Sequence, residues 1–261
     1  MELTLNPSEL RDRQHFNQIA EHYARKDFAL SSKEAREYHS NFTLEPVLPF
    51  LNESTCILDI GCGPATAAQL LKGRYGRYIG VDYSEELIAL AREFHKENKR
   101  AEFIAGNVRE CSLGVHVADV VLSMGLLHHV SDFEALFNNL RKSAKPGAFL
   151  VALEPAGSNP FLEFMRWARK KMDPLYSADQ RAFSVREIKE ILTQNGFKDI
   201  EITPFGLFHP PFAQIVLPLG SLGKWLAHGA VKLDRFLDQV IPQGLRWMCW
   251  NLRIIARFTN V

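Results

Sequence analysis

Residues 57–66, "ILDIGCGPAT", join an apolar run, an acid and a cluster of small residues. The apolar run predicts a buried strand, and Gly61 and Gly63 predict a tight turn that leads into a helix. Small residues at such a turn let a ligand lie on backbone N–H groups at the start of the helix. Asp59 lies two residues before the first glycine, where its carboxylate can face an amino group. The stretch therefore predicts a ligand site at the edge of a sheet.

Short apolar runs and longer amphipathic stretches alternate along the rest of the chain. The predicted strands cover residues 56–61, 78–83, 102–107, 119–124, 149–154, 200–204 and 252–258. The predicted helices cover residues 66–72, 85–97, 132–143, 185–195 and 221–241. Ser84, Ser131 and Ser184 suit helix N-caps. Alternation at this spacing predicts an α/β fold, with a mostly parallel sheet and helices on both of its faces.

The composition limits the class of protein. The chain has 261 residues, of which 46% are hydrophobic, enough for the core of one large domain. Its formal net charge of +1 gives no electrostatic case for a nucleic-acid partner. Four scattered cysteines without a CxxC pair predict neither a disulfide framework nor a metal site. Because the chain shows neither an apolar signal segment nor a long apolar run, we expect a cytoplasmic protein.

A second acid favours a nucleoside as the ligand. Asp82 follows Asp59 by about twenty residues, the spacing at which an acid at the tip of the second strand binds ribose hydroxyls. Capping of the following helix is compatible with that role. A nicotinamide dinucleotide uses a similar turn, normally with glycine where Ala65 stands, and Asp59 would repel its pyrophosphate. The tyrosines also lack a lysine four residues further along the chain, which speaks against a nicotinamide-dependent oxidoreductase. Such an oxidoreductase is the alternative function.

An ordered set of motifs resembles a known family. The motifs "LDIGCGPA", "GVDYS", "FIAGN", "ADVVLSMGLLHHV" and "KPGAFLVALEP" are similar to those of class I S-adenosylmethionine-dependent methyltransferases, small-molecule branch (type 11/25-like). The resemblance covers residues 56–155 closely and extends to Phe258 through the strand order. It implies a Rossmann-like, seven-stranded sheet with an antiparallel last strand. It also implies an enzyme that uses S-adenosyl-L-methionine as its cofactor.

The resemblance implies specific roles around the glycine turn. Asp59 would orient the methionine ammonium through water or backbone, and Asp82 would bind the ribose hydroxyls. The turn residues that would lie against the cofactor are Gly61, Cys62 and Gly63.

Further positions would complete the cofactor site. Tyr83 would stack on the adenine, and Val108 would offer its backbone N–H. Asn107 stands where the family commonly has Asp, so its carbonyl can still accept from the adenine amine but without a charge. Ser123 and Met124 would line the sulfonium. Tyr23 lies in a leader motif, "HYARKDF", that resembles a lid over the methyl group.

Three residues near the sheet edge are candidates for catalysis. His128 and His129 follow the fourth strand at the edge where α/β sheets place their chemistry, and similar methyltransferases take a base from this pair. Adjacent residues point in different directions, so we expect one of them to face the acceptor. Glu154 ends the fifth strand and could orient the acceptor. Packing of one histidine and exposure of the other is the alternative, and no nearby acid or cysteine completes a metal site.

The remaining segments predict a cap over the acceptor. We expect a helical lid in residues 1–50, a core in 51–204 and 251–261, and a cap in 157–183 and 205–250, all within one domain. The cap is rich in large apolar residues, namely Phe161, Phe164, Trp167, Phe205, Phe208, Phe212, Trp225, Phe236, Trp247 and Trp250. Its basic residues are Arg166, Arg169, Lys170, Lys171, Lys224, Lys232 and Arg235. This composition favours a hydrophobic or lipid-like acceptor, taken from a membrane surface by peripheral contact.

Other interpretations of the cap and of the fold stay open. The apolar cap residues could instead seat the cap on the core or form a homodimer interface. The first interpretation predicts a monomer and the second a homodimer. A third function is a cofactor-binding partner protein without chemistry, and the departure at Asn107 keeps it open. A nucleic-acid substrate is disfavoured because "SMGL" replaces the "NPPY" or "DPPY" signature of base methyltransferases.

Overall fold

The computed structural model describes residues 5–28, 33–111, 113–157, 159–164, 167, 181–214 and 220–259. Seven strands form one sheet in the order β3-β2-β1-β4-β5-β7-β6. They are β1 (Cys56–Ile60), β2 (Arg77–Asp82), β3 (Ala101–Ala105), β4 (Ala118–Met124), β5 (Ala144–Pro155), β6 (Phe197–Phe205) and β7 (Asn251–Phe258). Strand β7 runs antiparallel to β5 and β6, whereas the other pairs are parallel. The predicted fold class is confirmed.

Helices cover both faces of the sheet. They are α1 (Pro7–Phe28), α2 (Lys33–Leu44), α3 (Thr66–Leu70), α4 (Glu85–Phe94), α5 (Phe133–Ser143), α6 (Val185–Gln194), α7 (Pro210–Gln214) and α8 (Gly220–Val240). Single 3₁₀ segments cover Leu48–Phe50, Leu127–His129 and Gln243–Met248. None of the helices in the described ranges combines the length and apolarity needed to cross a bilayer.

Two apolar layers enclose the central strands. On one face, Leu58, Ile60 and Ile254 pack with residues of α5 and α6. On the other face, Ile57 and Ile255 pack with residues of α2, α3 and α4. Because both faces are covered, β1 is buried at every position, as a strand in a parallel sheet requires.

Two of the three predicted N-caps are confirmed. Ser84 accepts a hydrogen bond from Leu87 N at 3.2 Å, and Ser184 accepts one from Glu187 N at 3.1 Å. The prediction for Ser131 is wrong, because Asp132 caps α5 by accepting from Ala135 N at 2.9 Å. A carboxylate interacts more favourably than a hydroxyl with the positive end of a helix, so the neighbouring acid takes the position.

The sheet topology brings the cap to the carboxyl edge of the parallel strands. Strand β6 is parallel to β5, and β7 then runs back antiparallel between them. Residue Asn251, which begins β7, pairs with Pro155 and with Phe205 at the ends of the two neighbouring strands. The chain from 205 to 250 therefore leaves and re-enters the sheet at the edge that also carries the glycine turn. Of the basic cap residues, Arg166, Arg169, Lys170 and Lys171 lie outside the described residues.

Candidate active site

The glycine turn follows β1 and carries a backbone that only small residues can adopt. Gly61 and Gly63 have φ values of +66° and +52°, in the left-handed region. A Cβ on Gly61 would approach the Leu126 side chain at 2.9 Å, so the position has no room for a side chain. The N–H groups of Gly61 and Cys62 donate to Val81 O at 2.8 and 3.1 Å. These bonds attach the turn to the end of β2.

Asp59 is buried beside the turn with one carboxylate oxygen unused. Its Oδ2 accepts a hydrogen bond from the Tyr78 hydroxyl. Its Oδ1 is buried and has no hydrogen-bond partner among the described residues. Burial raises the pKa of this carboxyl to about 7, although the Tyr78 hydroxyl opposes the shift. The arrangement provides a strong acceptor for a cationic or N–H group.

Asp82 braces two segments of the site, of which the sequence indicated the start of the following helix but not the glycine turn. Its Oδ2 accepts from Gly63 N at 3.0 Å, and its Oδ1 accepts from Ser84 N at 2.9 Å. The carboxyl is buried, which raises its pKa, and these N–H donors act in the opposite direction. One acid at the tip of β2 thus holds both the glycine turn and the start of α4. Each carboxylate oxygen has two lone pairs, so further hydroxyl donors can still bind.

The leader helix lies over the turn. The Tyr23 ring lies 3.9 Å from the position that a Cβ on Gly63 would take. Phe16 contacts Tyr23 and Tyr83 at centroid distances of 5.9 and 6.4 Å. Ser84 Oγ donates to Asn17 Oδ1 at 2.7 Å, which ties α1 to α4. An aromatic cover of the site was predicted through Tyr23, whereas Phe16 and Asn17 were missed because neither belongs to a motif.

The predicted adenine contacts lie after β2 and β3 and are partly engaged by the protein. Asn107 is buried, and its Oδ1 accepts from Arg109 N at 3.0 Å. Val108 is buried, and its carbonyl accepts from Asn139 Nδ2 at 2.9 Å. Tyr83 follows β2, the strand that pairs with β3, and burial raises the pKa of its hydroxyl. These side chains therefore border one part of the carboxyl edge.

Cys62, Ser123 and Met124 line the inner part of this edge. The Cys62 thiol is buried, which raises its pKa. The register pairs Asp59 with Leu122, so Ser123 and Met124 follow directly beyond it on β4. Ser123 is fully buried, and its hydroxyl has no hydrogen-bond partner within the described part of the chain. It is a second unused polar atom beside the turn.

His128 and Glu154 form a hydrogen-bonded pair. Glu154 ends β5 in a buried position and accepts from His128 Nδ1 at 2.7 Å. The same carboxylate accepts from the backbone N–H of Leu127 at 2.7 Å and of His128 at 3.2 Å. Glu154 was predicted to orient the acceptor, but in the structure it orients His128. Nε2 of His128 makes no hydrogen bond to the described residues.

His129 points to the leader helix instead. Its Nδ1 lies 3.0 Å from Asp12 Oδ2, and its ring meets Phe16 edge-on at 5.5 Å. Burial is the main cause that lowers the pKa of His129, while Asp12 acts against the shift. The two adjacent histidines therefore face different partners, as expected for neighbours in a 3₁₀ turn. No group of three or more potential metal ligands occurs among the described residues.

A cleft of about 590 Å³ opens beside β6 and β7 on the cap side. Apolar side chains share its lining with Thr203, Gln243 and Arg246, and the exposed surface of the cleft is almost evenly divided between polar and apolar atoms. Leu252, which lines the cleft, pairs with Glu154 across the two strands. The cleft therefore begins one strand away from the His128–Glu154 pair.

Comparison with known proteins is consistent with this geometry. Residues 58–152 match the model of a methyltransferase domain family. A probable S-adenosylmethionine-dependent methyltransferase of Mycolicibacterium smegmatis is 26% identical over 153 residues, which cover 59% of this chain and 55% of that protein. The chain thus spans about half the length of this relative. Trans-aconitate 2-methyltransferase of an Acidovorax strain is 26% identical over 201 residues, covering 73% of this chain and 72% of that one.

A solved structure shares the whole fold. The [4+2]-cyclase SpnF superposes with a TM-score of 0.67 at 16% sequence identity, covering 100% of this chain and 99% of that one. At this identity the likeness shows the fold alone, and one fold can host different reactions. The chemistry must therefore be argued from the site.

Proposed function

We propose that this protein is a class I S-adenosylmethionine-dependent methyltransferase, as the match of residues 58–152 to a methyltransferase domain family supports, and that it transfers the methyl group to a small hydrophobic or lipid-like acceptor. The observation that carries the proposal is the buried, unused Oδ1 of Asp59 beside a glycine turn that Asp82 braces. The proposal includes the lid, core and cap division given above, within one domain.

The residues at the turn fit this cofactor. The free oxygen of Asp59 suits an ammonium group, because a buried acceptor without a partner is costly until a donor binds. Asp82 retains lone pairs for the ribose hydroxyls, and the bare backbone at Gly61 and Gly63 allows close approach. A pyrophosphate fits poorly, since it would place negative charge against Asp59. The carboxylate of Asp59 therefore disfavours the nicotinamide alternative.

The catalytic proposal assigns the base to His128. When bound, the cofactor supplies a methyl group that is already activated for transfer. Because Glu154 accepts at Nδ1, the neutral ring of His128 carries its proton there and leaves Nε2 as an acceptor. Nε2 can then take a proton from an acceptor hydroxyl or amine, an effect worth about 10²–10⁴-fold in rate. His129 instead holds α1 through Asp12 and acts as a positioning residue.

The acceptor is proposed from the surroundings of this base. Phe16, Tyr23 and Tyr83 form an aromatic cluster over the turn. The cleft beside β7 offers apolar side chains together with polar groups near the end of β5. Seven of the ten residues that line the cleft are apolar and three are polar, so a molecule with a large apolar part and a polar group fits it.

Cofactor titrations test the site. We expect Asp82→Ala and Asp59→Asn each to weaken binding of S-adenosylhomocysteine by roughly 10–150-fold, the value of a hydrogen bond to a charged group. Calorimetric titration of the full chain measures this, with Glu97→Ala as a control for loss of an exposed acid. Unchanged affinity in both site variants would show that the assignment is wrong.

A labelling experiment tests the acceptor class. Purified protein, methyl-labelled S-adenosylmethionine and a crude cell extract are incubated and partitioned between organic and aqueous phases. We expect label in the organic phase with the parent protein and none with His128→Ala. Label confined to water would contradict the lipid-like acceptor. No transfer despite cofactor binding would favour the non-catalytic alternative.

A further inference from the structure

Helix α8 exposes most of its large apolar residues. Its buried residues are Gly223, Ala227, Val231, Asp234 and Asp238, and of its large apolar residues only Leu226 and Leu237 are half-buried. The large exposed residues are Leu222, Trp225, Leu233, Phe236 and Val240. Their spacings of three, eight, three and four residues place them on one stripe opposite the buried side, with Gly229 in the longest interval. Packing on the core therefore does not explain these residues.

Polar bonds fix this orientation. Asp234 accepts from the backbone N–H groups of Leu207, Phe208 and His209, and its Oδ2 lies 2.6 Å from His209 Nδ1. Asp238 accepts from the Tyr38 hydroxyl at 2.7 Å. Rotation of the helix to bury the apolar stripe would break all of these bonds and expose both acids. The hydrogen bonds of the two acids therefore hold the apolar stripe on the outer side of the helix.

The exposed charges on α8 all have one sign. Lys224, Lys232 and Arg235 are exposed. Both acids of the helix, Asp234 and Asp238, point inward. In a chain with a net charge of only +1, this places local positive charge along the border of the apolar stripe.

The apolar surface continues beyond the helix. The 3₁₀ segment that follows exposes Leu245, Trp247 and Met248. Asn159 Nδ2 donates to Met248 O at 3.1 Å, which places the segment carrying the exposed Phe161 alongside. Trp247 also lines the cleft next to β7. Exposed apolar patches of this kind mark interaction surfaces.

From these observations we propose that α8 docks the protein onto an anionic lipid bilayer. A helix with Trp, Phe and Leu on one face and cations along its border lies in the plane of a membrane interface, with the cations at the headgroups. A second copy of the chain is a poorer partner. Pairing two α8 faces would bring the cations of both copies together, and Glu34, an exposed acid beside the helix, is already bonded to His228.

Docking by this face deepens the proposed function and rests on it in assigning a source to the acceptor. A lipid-like acceptor would come from the bilayer itself. The cleft opens at the same end of α8, where Ile241 and Trp247 line it. A protein held by α8 would therefore present the cleft entrance near the bilayer.

Vesicle flotation tests docking without methyl transfer. The full chain is mixed, without cofactor, with phosphatidylcholine vesicles that contain or lack phosphatidylglycerol. We expect flotation with the anionic vesicles and its decrease at high salt. Lys224→Glu with Lys232→Glu should lower the partition coefficient about tenfold or more, and Trp225→Ser with Phe236→Ser should abolish flotation.

Matched variants keep the result interpretable. Lys189→Glu with Lys198→Glu makes the same charge change at exposed positions elsewhere, and Val115→Ser removes an exposed apolar residue far from α8. Both controls should float as the parent does. Absence of flotation, or equal flotation of the α8 variants, would overturn the proposal. So would light scattering that shows a dimer dispersed by Trp225→Ser with Phe236→Ser. The labelling experiment can succeed or fail independently of these outcomes.

Discussion

Two buried histidine–carboxylate pairs in this protein are built alike. Glu154 accepts from His128 Nδ1 at 2.7 Å and from two backbone N–H groups just before and at that histidine. Asp234 accepts from His209 Nδ1 at 2.6 Å and from the backbone N–H groups of residues 207–209. The difference lies at Nε2. His209 Nε2 lies 3.0 Å from His39 Nδ1, whereas Nε2 of His128 has no hydrogen-bond partner in the described ranges.

The two pairs have different roles. His128 and Glu154 form an orienting pair, in which the carboxylate fixes the ring, whereas His209 and Asp234 form a fastening pair, which holds α8 in place. At the sheet edge the carboxylate fixes a ring whose outer nitrogen stays available beside the glycine turn. Under the cap the same arrangement joins α8 to α2, because His39 closes the outer nitrogen and both members are fully buried. A histidine–carboxylate bond is thus not evidence of catalysis by itself. The outer nitrogen and its surroundings decide the role.

The largest effect should come from neutralising the orienting pair. Glu154→Gln keeps the side-chain volume but removes the charge that holds the proton on Nδ1 of His128. We expect methyl transfer to fall by about 10²–10⁴-fold, mainly in kcat, with cofactor affinity unchanged. Initial rates and cofactor titrations measure the two quantities.

The matching change under the cap is the control. Asp234→Asn should leave kcat of the folded protein unchanged. Equal losses of kcat in Glu154→Gln and Asp234→Asn would remove the distinction between the pairs. A lost pH dependence of kcat in Glu154→Gln alone would support it.

The next effect concerns stability. Asp234→Ala leaves three backbone N–H groups and His209 without their acceptor. Removal of one partner from a buried pair costs about 3–5 kcal/mol, and we expect that decrease in the free energy of unfolding. Urea unfolding followed by circular dichroism measures it. Asp132→Ala, which removes only an exposed helix cap, should cost about 1 kcal/mol. A cost for Asp234→Ala no larger than this would refute the fastening role.

The sequence predicted the secondary-structure elements better than the hydrogen bonds between side chains. The strand positions followed from apolar runs, and the glycine turn, Asp59, Asp82, His128 and Glu154 followed from motifs. The bond between His128 and Glu154 did not, because its members are 26 residues apart and no local pattern encodes the pairing. The start of β5 was predicted five residues late, since Pro146 and Gly147 resemble a turn although β5 already pairs with β4 at Ala144.

The cap shows a second limit of sequence reasoning. Periodicity correctly predicted a helix over 221–241, close to the observed Gly220–Val240. It could not reveal which stripe faces the protein, because an apolar stripe is normally the buried one. Here Asp234 and Asp238 are buried instead, since backbone N–H groups of residues 206–209 need acceptors. The periodicity of a helix gives no information about the hydrogen bonds that backbone groups outside the helix require.

A smaller effect should appear in the pH dependence of stability. Burial lowers the pKa of His39 well below its ordinary value, and neighbouring His209 adds to the shift. The unfolded chain therefore takes up this proton more readily, so stability falls as the pH drops below about 6.5. The loss is at most about 1.4 kcal/mol per pH unit. In His39→Gln we expect a shallower slope than in the parent protein when urea unfolding is followed between pH 7.5 and 5. An unchanged slope would refute the assignment to His39.

The smallest effects compare two tyrosine–aspartate bonds. The Tyr38 hydroxyl donates to Asp238 under the cap, and the Tyr78 hydroxyl donates to Asp59 beside the turn. Tyr38→Phe should cost about 1 kcal/mol of unfolding free energy and leave cofactor affinity unchanged. Tyr78→Phe removes a bond that lowers the pKa of Asp59, which is already about 7. More of that acid is then protonated at pH 7, so cofactor affinity should decrease at pH 7 and recover at pH 8.5. Recovery at pH 8.5 in Tyr78→Phe alone would link Asp59 to the cofactor, because the acid bonded to Tyr38 is Asp238, which lies under the cap. A pH-independent loss in Tyr78→Phe would instead reduce Tyr78 to a packing residue.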